Sequence, residues 1–382
     1  MILVRFFQKI CSVLVAFCVG LLIPVPIARA EPLSLPSVSA KSAILVNVED
    51  GSVYYEKTPD ERLGPASTTK LMTALTVRSL ISAPDTVVKI PKEAVGIEGS
   101  SIYLCEGELL SVRELLFALL LSSANDAATA LAITSAGSVE AFCDEMNALA
   151  DAFELTNTHF ENPHGLAHEN HYTTARDLAT IARRVLDDPL LSEIVATYKT
   201  TIPHDGVPNT RLLVNHNRLL RTYEGAIGMK TGFTRATGRT LVSAAERDGL
   251  CLVAVTLNAP DDWRDHTAML DFGFSAYERV TLLEAGEFDF EMPVVGGTSA
   301  SVSLTNAEPI VMTLPKRRGD AVFTVCSNMR FAYASVVCGD VLASLSVECE
   351  GKTLSVPLVA TDDIPTPPKK SLWERLLALL LN

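Results

Sequence analysis

Positive charge is in short supply. Thirty-two Lys and Arg face 45 Asp and Glu, for a formal net charge of -13. That balance argues against a nucleic-acid binder, whose phosphate contacts need a Lys/Arg surface. Paired cysteines are lacking too. Eight cysteines are spread along the chain with no CxxC spacing and no Cys/His pattern of a metal site. Histidine is scarce, at seven residues, and none stands at a known hydrolase spacing from a candidate nucleophile. A comfortably membrane-spanning run is also missing. The apolar stretch ICSVLVAFCVGLLI, residues 10–23, is too short to cross easily as a helix.

That stretch has another reading. Arg5 and Lys9 precede it, no acid does, and Ala28-Arg29-Ala30 follows as a small-x-small end. This is the three-part pattern of a secretory signal peptide, residues 1–30, with cleavage expected after Ala30. Export makes disulfides possible. Cys326, Cys338 and Cys349 are candidates for pairing, although the sequence does not decide it. Cys251, inside LCLVAVTL, reads as a buried thiol.

The remaining 352 residues, with an apolar share of 48% for the whole chain, support a sizeable core. Asp50-Gly51 between two β-rich runs predicts a two-residue hairpin. Residues 108–200 read mostly helical, with SVRELLFALLLSSANDAATALAITSAG apolar nearly all round and therefore a buried helix pair. THFENPHGLAHENHYT breaks the period as a loop, and Thr173 or Thr174 is placed to cap the helix after it. From residue 225 three strands follow, the last two joined at Asp248-Gly249, and then a closing helix over DWRDHTAMLDFGFSAYE. The pattern is α+β. Residues 31–278 are expected to form the catalytic domain and residues 279–363, short alternating runs, a small all-β domain. Residues 364–382 comprise a proline-rich linker and SLWERLLALLLN, which is expected to lie on a membrane surface beside Lys369 and Lys370.

Three short motifs carry chemistry. In PASTTKLMTAL, Ser67 and Lys70 are three apart and share a helix face. A serine hydroxyl needs a base, and a lysine serves when burial and a second cation keep it neutral. Lys230 of Lys230-Thr231-Gly232 is the candidate second cation. Ser123, of Ser123-Ala124-Asn125, can relay a proton to the leaving amine. Asn125 can fix Lys70, and Thr231 can bind a substrate carboxylate. S-x-x-K, S-x-N and K-T-G, in that order, are the set of penicillin-binding proteins and class A β-lactamases. Singly each is weak. The three stand in suitable contexts: a helix start, a helix-to-helix connection and a strand.

The flanks PASTTKLMTA, LLLSSANDAATALA, THFENPHGL, HYTTARDLA and GMKTGFT resemble the low-molecular-weight penicillin-binding proteins, in particular the serine-type D-alanyl-D-alanine carboxypeptidases of peptidase family S11. The resemblance runs from about residue 40 to about 278. It implies a β-lactamase/transpeptidase-like α/β fold, an antiparallel sheet flanked by helices. It further implies removal of the terminal D-alanine from peptidoglycan stem pentapeptides, acylation by β-lactams, no cofactor and no metal, and action at the outer face of the cytoplasmic membrane or in the cell wall space. It assigns Ser67 as the acylated nucleophile, Lys70 as base, Ser123 and Asn125 to relay and positioning, and Lys230, Thr231 and Gly232 to substrate binding. The backbone N–H groups of Ser67 and Phe233 form the oxyanion hole.

Two departures are expected to matter. Phe233 stands where some relatives carry histidine. Some relatives also place an arginine on the strand beside K-T-G, taken here to be Gly249-Leu250-Cys251-Leu252, which leaves carboxylate binding to Lys230, Thr231 or Arg247. His159, His164, His168 and His171 are read as bonding their own loop rather than a metal. Asp126 is read as a helix-start cap. The rivals are a β-lactamase, for which no E-x-x-L-N is present and Glu193 and Glu224 lie in other contexts, a D,D-endopeptidase, and an inactive wall-binding protein.

Overall fold

The structure, a computed structural model, describes residues 34–204, 207–369 and 373. The expected signal peptide and all of the C-terminal helix except Trp373 therefore lie outside the described residues. No helix among the described residues is long and apolar enough to cross a membrane.

The chain begins with β1 (Ser42–Asn47) and β2 (Val53–Lys57). A 3-10 turn at Ala66–Thr68 leads into α1 (Thr69–Leu80). Strands β3 (Val87–Lys89) and β4 (Leu109–Ser111) precede α2 (Val112–Leu121), α3 (Asn125–Ala136), α4 (Val139–Ala152), α5 (Ala175–Asp187) and α6 (Pro189–Ala196). The hairpin β5 (Lys199–His204) and β6 (Val207–Val214) and the short α7 (Leu219–Thr222) lead to β7 (Ala226–Thr234), β8 (Gly238–Arg247), β9 (Leu250–Leu257) and α8 (Asp262–Ala276).

Side-chain alternation along the strands sorts this part into layers. The sheet runs β2-β1-β9-β8-β7 and is antiparallel throughout. Ile44, Val46, Val242, Ala244, Val253 and Val255 point into the apolar cluster of the helices. Ala43, Leu45, Leu241, Ala245, Leu252 and Ala254 point the other way, against α8. Strand β1 is thus buried on both faces. The helix starts follow local rules. Ser111 and Glu114 form a reciprocal capping box on α2, Thr174 caps α5, and Asp188 caps α6 with a proline at its start. In α1 every residue from Thr69 to Val77 is buried. It is the central helix, and this places Lys70 in the interior.

The Asp248-Gly249 turn joins β8 to β9 directly, both residues at positive φ. The Asp50-Gly51 expectation needs correction. The connection spans residues 48–52, because the Val48 N–H donates to the Cys251 carbonyl on β9 and the β1–β2 register shifts at Leu45/Val46.

Residues 277–360 hold strands: β10 (Tyr277–Leu283), β11 (Phe290–Val295), β12 (Ser301–Asn306), β13 (Ile310–Pro315), β14 (Val322–Cys326), β15 (Ala332–Tyr333), β16 (Val341–Cys349) and β17 (Lys352–Ala360). β10 pairs with β13, and the others form a six-stranded sheet ordered β14-β16-β17-β12-β11-β15. Its apolar core, including Leu304, Leu314, Leu345 and Leu358, is separate from the cores around the first sheet. All six described cysteines are free thiols, and Cys251 is partly exposed rather than fully buried.

A buried histidine ties α8 to the sheet. His266 Nδ1 lies 2.5 Å from Ser243 Oγ and Nε2 lies 2.9 Å from Thr256 Oγ1. Burial pushes its pKa down to about 3. An unfolded chain binds that proton near pH 6.5, so the native state binds fewer protons between these values. Stability should therefore fall as pH drops below about 6.5, by about 1.4 kcal/mol per pH unit for this residue, until His266 itself protonates. Urea unfolding at pH 7 and pH 5 checks this; replacing His266 by asparagine should flatten the dependence.

Candidate active site

Pro65 starts the local geometry that presents Ser67. Its carbonyl accepts from Thr68 Oγ1 at 2.6 Å and from Thr240 Oγ1 on β8 at 2.9 Å. The serine thus sits in a 3-10 turn just ahead of α1. The 160s loop straps the start of that helix. Thr73 Oγ1 donates to the Pro163 carbonyl at 2.6 Å, and Thr69 Oγ1 lies 2.8 Å from His171 Nε2. Gly165, at a φ of +88°, lies so close that a Cβ there would overlap the Ala66 carbonyl.

Lys70 is fully buried. Its Nζ is 3.0 Å from Ser67 Oγ, 2.7 Å from Asn125 Oδ1 and 2.7 Å from the His164 carbonyl. The Asn125 amide is oriented by its other end, since Nδ2 donates to the Glu98 carbonyl at 2.5 Å. Both Asn125 Oδ1 and the His164 oxygen can only accept. Burial first, and the Lys230 charge second, hold the Lys70 pKa well below the usual lysine range. Lys230 lies 3.0 Å from Ser123 Oγ and 2.9 Å from the Thr231 carbonyl, and burial lowers its pKa to about 7. Ser123 occupies the short link between α2 and α3 with a φ of +59°.

A cleft of about 360 Å³ opens over these groups, lined among others by Ser67, Ser123, Thr231, Gly232 and Phe233. Gly232 allows β7 to press against the serine turn, for a Cβ there would come within 2.9 Å of the Ser67 amide nitrogen and collide with Thr240. All eight residues expected from the motifs therefore meet here: Ser67, Ser123, Thr231, Gly232 and Phe233 line the cleft, Lys70 and Lys230 bond the two serines, and Asn125 bonds Lys70.

Two expectations are overturned. The strand beside K-T-G is β8, not the Gly249–Leu252 segment of β9, and it carries Arg239 opposite Phe233. Arg239 lines the cleft, with the largely buried Asp262 3.7 Å away and Trp263 nearby. Arg247 lies at the opposite end of β8, over the rings of Tyr223 and Phe274, so it is remote from the cleft. The sequence signal for Arg239 was its place nine residues after Lys230, across a turn whose length the sequence does not fix. Asp126 is not a cap either. It lies in the first turn of α3 and accepts from Ser101 Oγ and the Ile102 and Leu104 amides, so it anchors the loop that carries Glu98.

The histidines bond their own loop. His159 pairs with the Asn170 carbonyl, His168 accepts from the Asn170 amide, His164 from the Leu166 amide, and His171 from the Glu161 amide. Among the described residues no group of side chains could hold a metal ion.

A serine in contact with a buried lysine, between a central helix and the edge strand of an antiparallel sheet, defines a serine-type peptidase of the penicillin-binding class. Comparison with known proteins narrows this. The Peptidase S11 family, described as D-alanyl-D-alanine carboxypeptidase, matches residues 29–261. D-alanyl-D-alanine carboxypeptidase DacF of Bacillus subtilis (strain 168) is 33% identical over 337 residues, covering 85% of this chain and 86% of its own length. DacC of Escherichia coli (strain K12) is 30% identical over 364 residues, 89% of this chain and 88% of its own. Penicillin binding protein 5 from Haemophilus influenzae superposes with a TM-score of 0.70 at 28% identity, over 87% of this chain and 99% of that one. The chain belongs to the S11 family of serine-type D-alanyl-D-alanine carboxypeptidases.

Proposed function

We propose that this protein removes the terminal D-alanine from peptidoglycan stem pentapeptides through an acyl-enzyme on Ser67. The observation that carries the reading is the set of partners around Lys70. A neutral amine has two N–H bonds and one lone pair. Asn125 Oδ1 and the His164 carbonyl take the two N–H bonds, and the lone pair is left for the Ser67 hydroxyl proton, 3.0 Å away.

Ser67 Oγ attacks the D-Ala-D-Ala carbonyl as Lys70 takes its proton. The backbone N–H groups of Ser67 and Phe233 stabilise the oxyanion. The proton passes by way of Ser123, which Lys230 holds in place, to the nitrogen of the departing D-alanine. Water then attacks the acyl-enzyme and regenerates Ser67. β-Lactams acylate the same serine and persist there. Thr231, the Lys230 charge and Arg239 receive the substrate carboxylate, with Asp262 holding the guanidinium. Arg239→Gln should raise KM for a peptide ending in free D-Ala-D-Ala by roughly ten- to a hundredfold, with a much smaller change for the same peptide ending in an amide. Steady-state release of D-alanine from the first peptide and of D-alaninamide from the second tests the function and this assignment together.

The separate apolar cores support a catalytic domain over residues 31–278 and a β-domain over residues 279–363. The sequence pattern at each end supports export by residues 1–30 and attachment of residues 364–382 to the outer face of the cytoplasmic membrane, with the β-domain as spacer.

A further inference from the structure

The β-domain leaves an apolar surface uncovered at one end. Val295, Met329, Phe331, Tyr333, Val337 and Val341 are all exposed, Tyr333 at 70%. All but Val295 lie in residues 327–341. Val295 pairs with Tyr333, the Ala334 amide donates to the Val295 carbonyl, and the Val337 carbonyl accepts from Asp340. The Phe331 and Tyr333 rings meet edge to face at 5.2 Å. Apolar side chains clustered in this way on a soluble domain mark a contact surface.

The exit point of the chain says which contact. Val336 and Ile364 exchange backbone hydrogen bonds, the Thr298 amide donates to the Pro365 carbonyl, and the Cys338 amide donates to Asp363. The proline-rich linker therefore departs from the edge of the apolar surface, toward the Trp- and Leu-rich residues 371–382. Trp373 is 77% exposed, so it does not cover the patch. The surface carries aromatic rings, Arg330 beside Phe331, and Lys369 at the exit, with Lys370 next in sequence. Its acids hold the loop in shape and keep their charge: Asp340 accepts from the Val337 amide, Asp363 from the Cys338 amide, and Asp362 from Thr361 Oγ1. Rings that sit at headgroup depth with basic residues among them suit an anionic bilayer surface.

We propose that the loop of residues 327–341, with Val295, is a second membrane contact, seating the foot of the β-domain in the headgroup layer next to the C-terminal helix. This rests on the membrane-attachment reading of residues 364–382. Two contacts on one body would fix the domain's orientation as well as its distance, which a single attachment cannot do.

The test uses the chain from Glu31 onward and sedimentation with phosphatidylglycerol/phosphatidylethanolamine vesicles. One variant carries Phe331→Ser and Tyr333→Ser; the other carries Leu377→Glu and Leu380→Glu in the tail. Thermal melting checks that both fold. The first variant should bind roughly tenfold more weakly than wild type, and the second should lose more. Wild-type affinity in the first variant, or no vesicle binding by wild type, overturns the second contact. Wild-type affinity in the tail variant, with loss in the first, overturns the tail reading and leaves the loop contact standing. A wild-type dimer that becomes monomeric in the first variant, with vesicle binding unchanged, makes the surface a contact between copies and overturns the proposal.

Discussion

Lys70→Met is expected to slow acylation of Ser67 by about 10²–10⁴, the range of a lost general base. The methionine keeps the length and apolar packing of the lysine stem, so the fold should survive. What is lost is the lone pair aimed at the Ser67 hydroxyl and the donors to Asn125 Oδ1 and the His164 carbonyl. Stopped-flow acylation by a chromogenic β-lactam gives the rate, and thermal melting confirms the fold. The pH dependence has a definite sign. A lysine in the proposed role of base must be neutral, so acylation should rise with pH through the depressed pKa of Lys70. In the proposed role of carboxylate binder, Lys230 must be charged. Its pKa, lowered to about 7, puts a falling limb on the alkaline side of kcat/KM. Lys70→Met should remove the rising limb and leave the falling one.

Gly165→Ala should be severe without touching a chemical group. At a φ of +88° any side chain is strained, and here the new methyl would overlap the Ala66 carbonyl in the turn that presents Ser67. The expected loss is about 2–4 kcal/mol, seen as a lowered urea midpoint, with acylation slowed as the serine turn shifts. Gly137→Ala is the control. It has a similar φ of +87° but no atom within 4 Å of the added carbon, so only the backbone strain, about 1 kcal/mol, should register. Equal losses in the two variants would mean that packing of the 160s loop against the serine turn contributes little.

The site was more legible than its surroundings. Ser67 and Lys70 share a helix face by spacing alone, and burial of the whole first turn of α1 follows from an apolar run with few charges. Ser123 and Lys230 were found because short motifs keep their order. Arg239 was missed because its place depends on which strand lies beside β7, and sheet order is a long-range property that periodicity does not carry. The same ambiguity sent the expectation to Arg247, which shares strand β8 but sits at its far end. Asp126 looked like a cap by position, yet its partners are 22 to 25 residues earlier in a loop without periodicity. The Asp50-Gly51 turn was located correctly and its length was not, because pairing of Val48 with β9 competes with the hairpin. The strands of the β-domain were visible as alternation, whereas the exposed surface at its foot arises from loops that meet only in three dimensions.

The central claim is that Ser67 is the acylated nucleophile of a D,D-carboxypeptidase. The most direct measurement is D-alanine release from a tripeptide ending in D-Ala-D-Ala, with fluorescent penicillin labelling in parallel, for the chain from Glu31 onward and for Ser67→Ala. The account predicts release and covalent labelling by the first protein and neither by the folded variant. Release or labelling that survives in Ser67→Ala would contradict it.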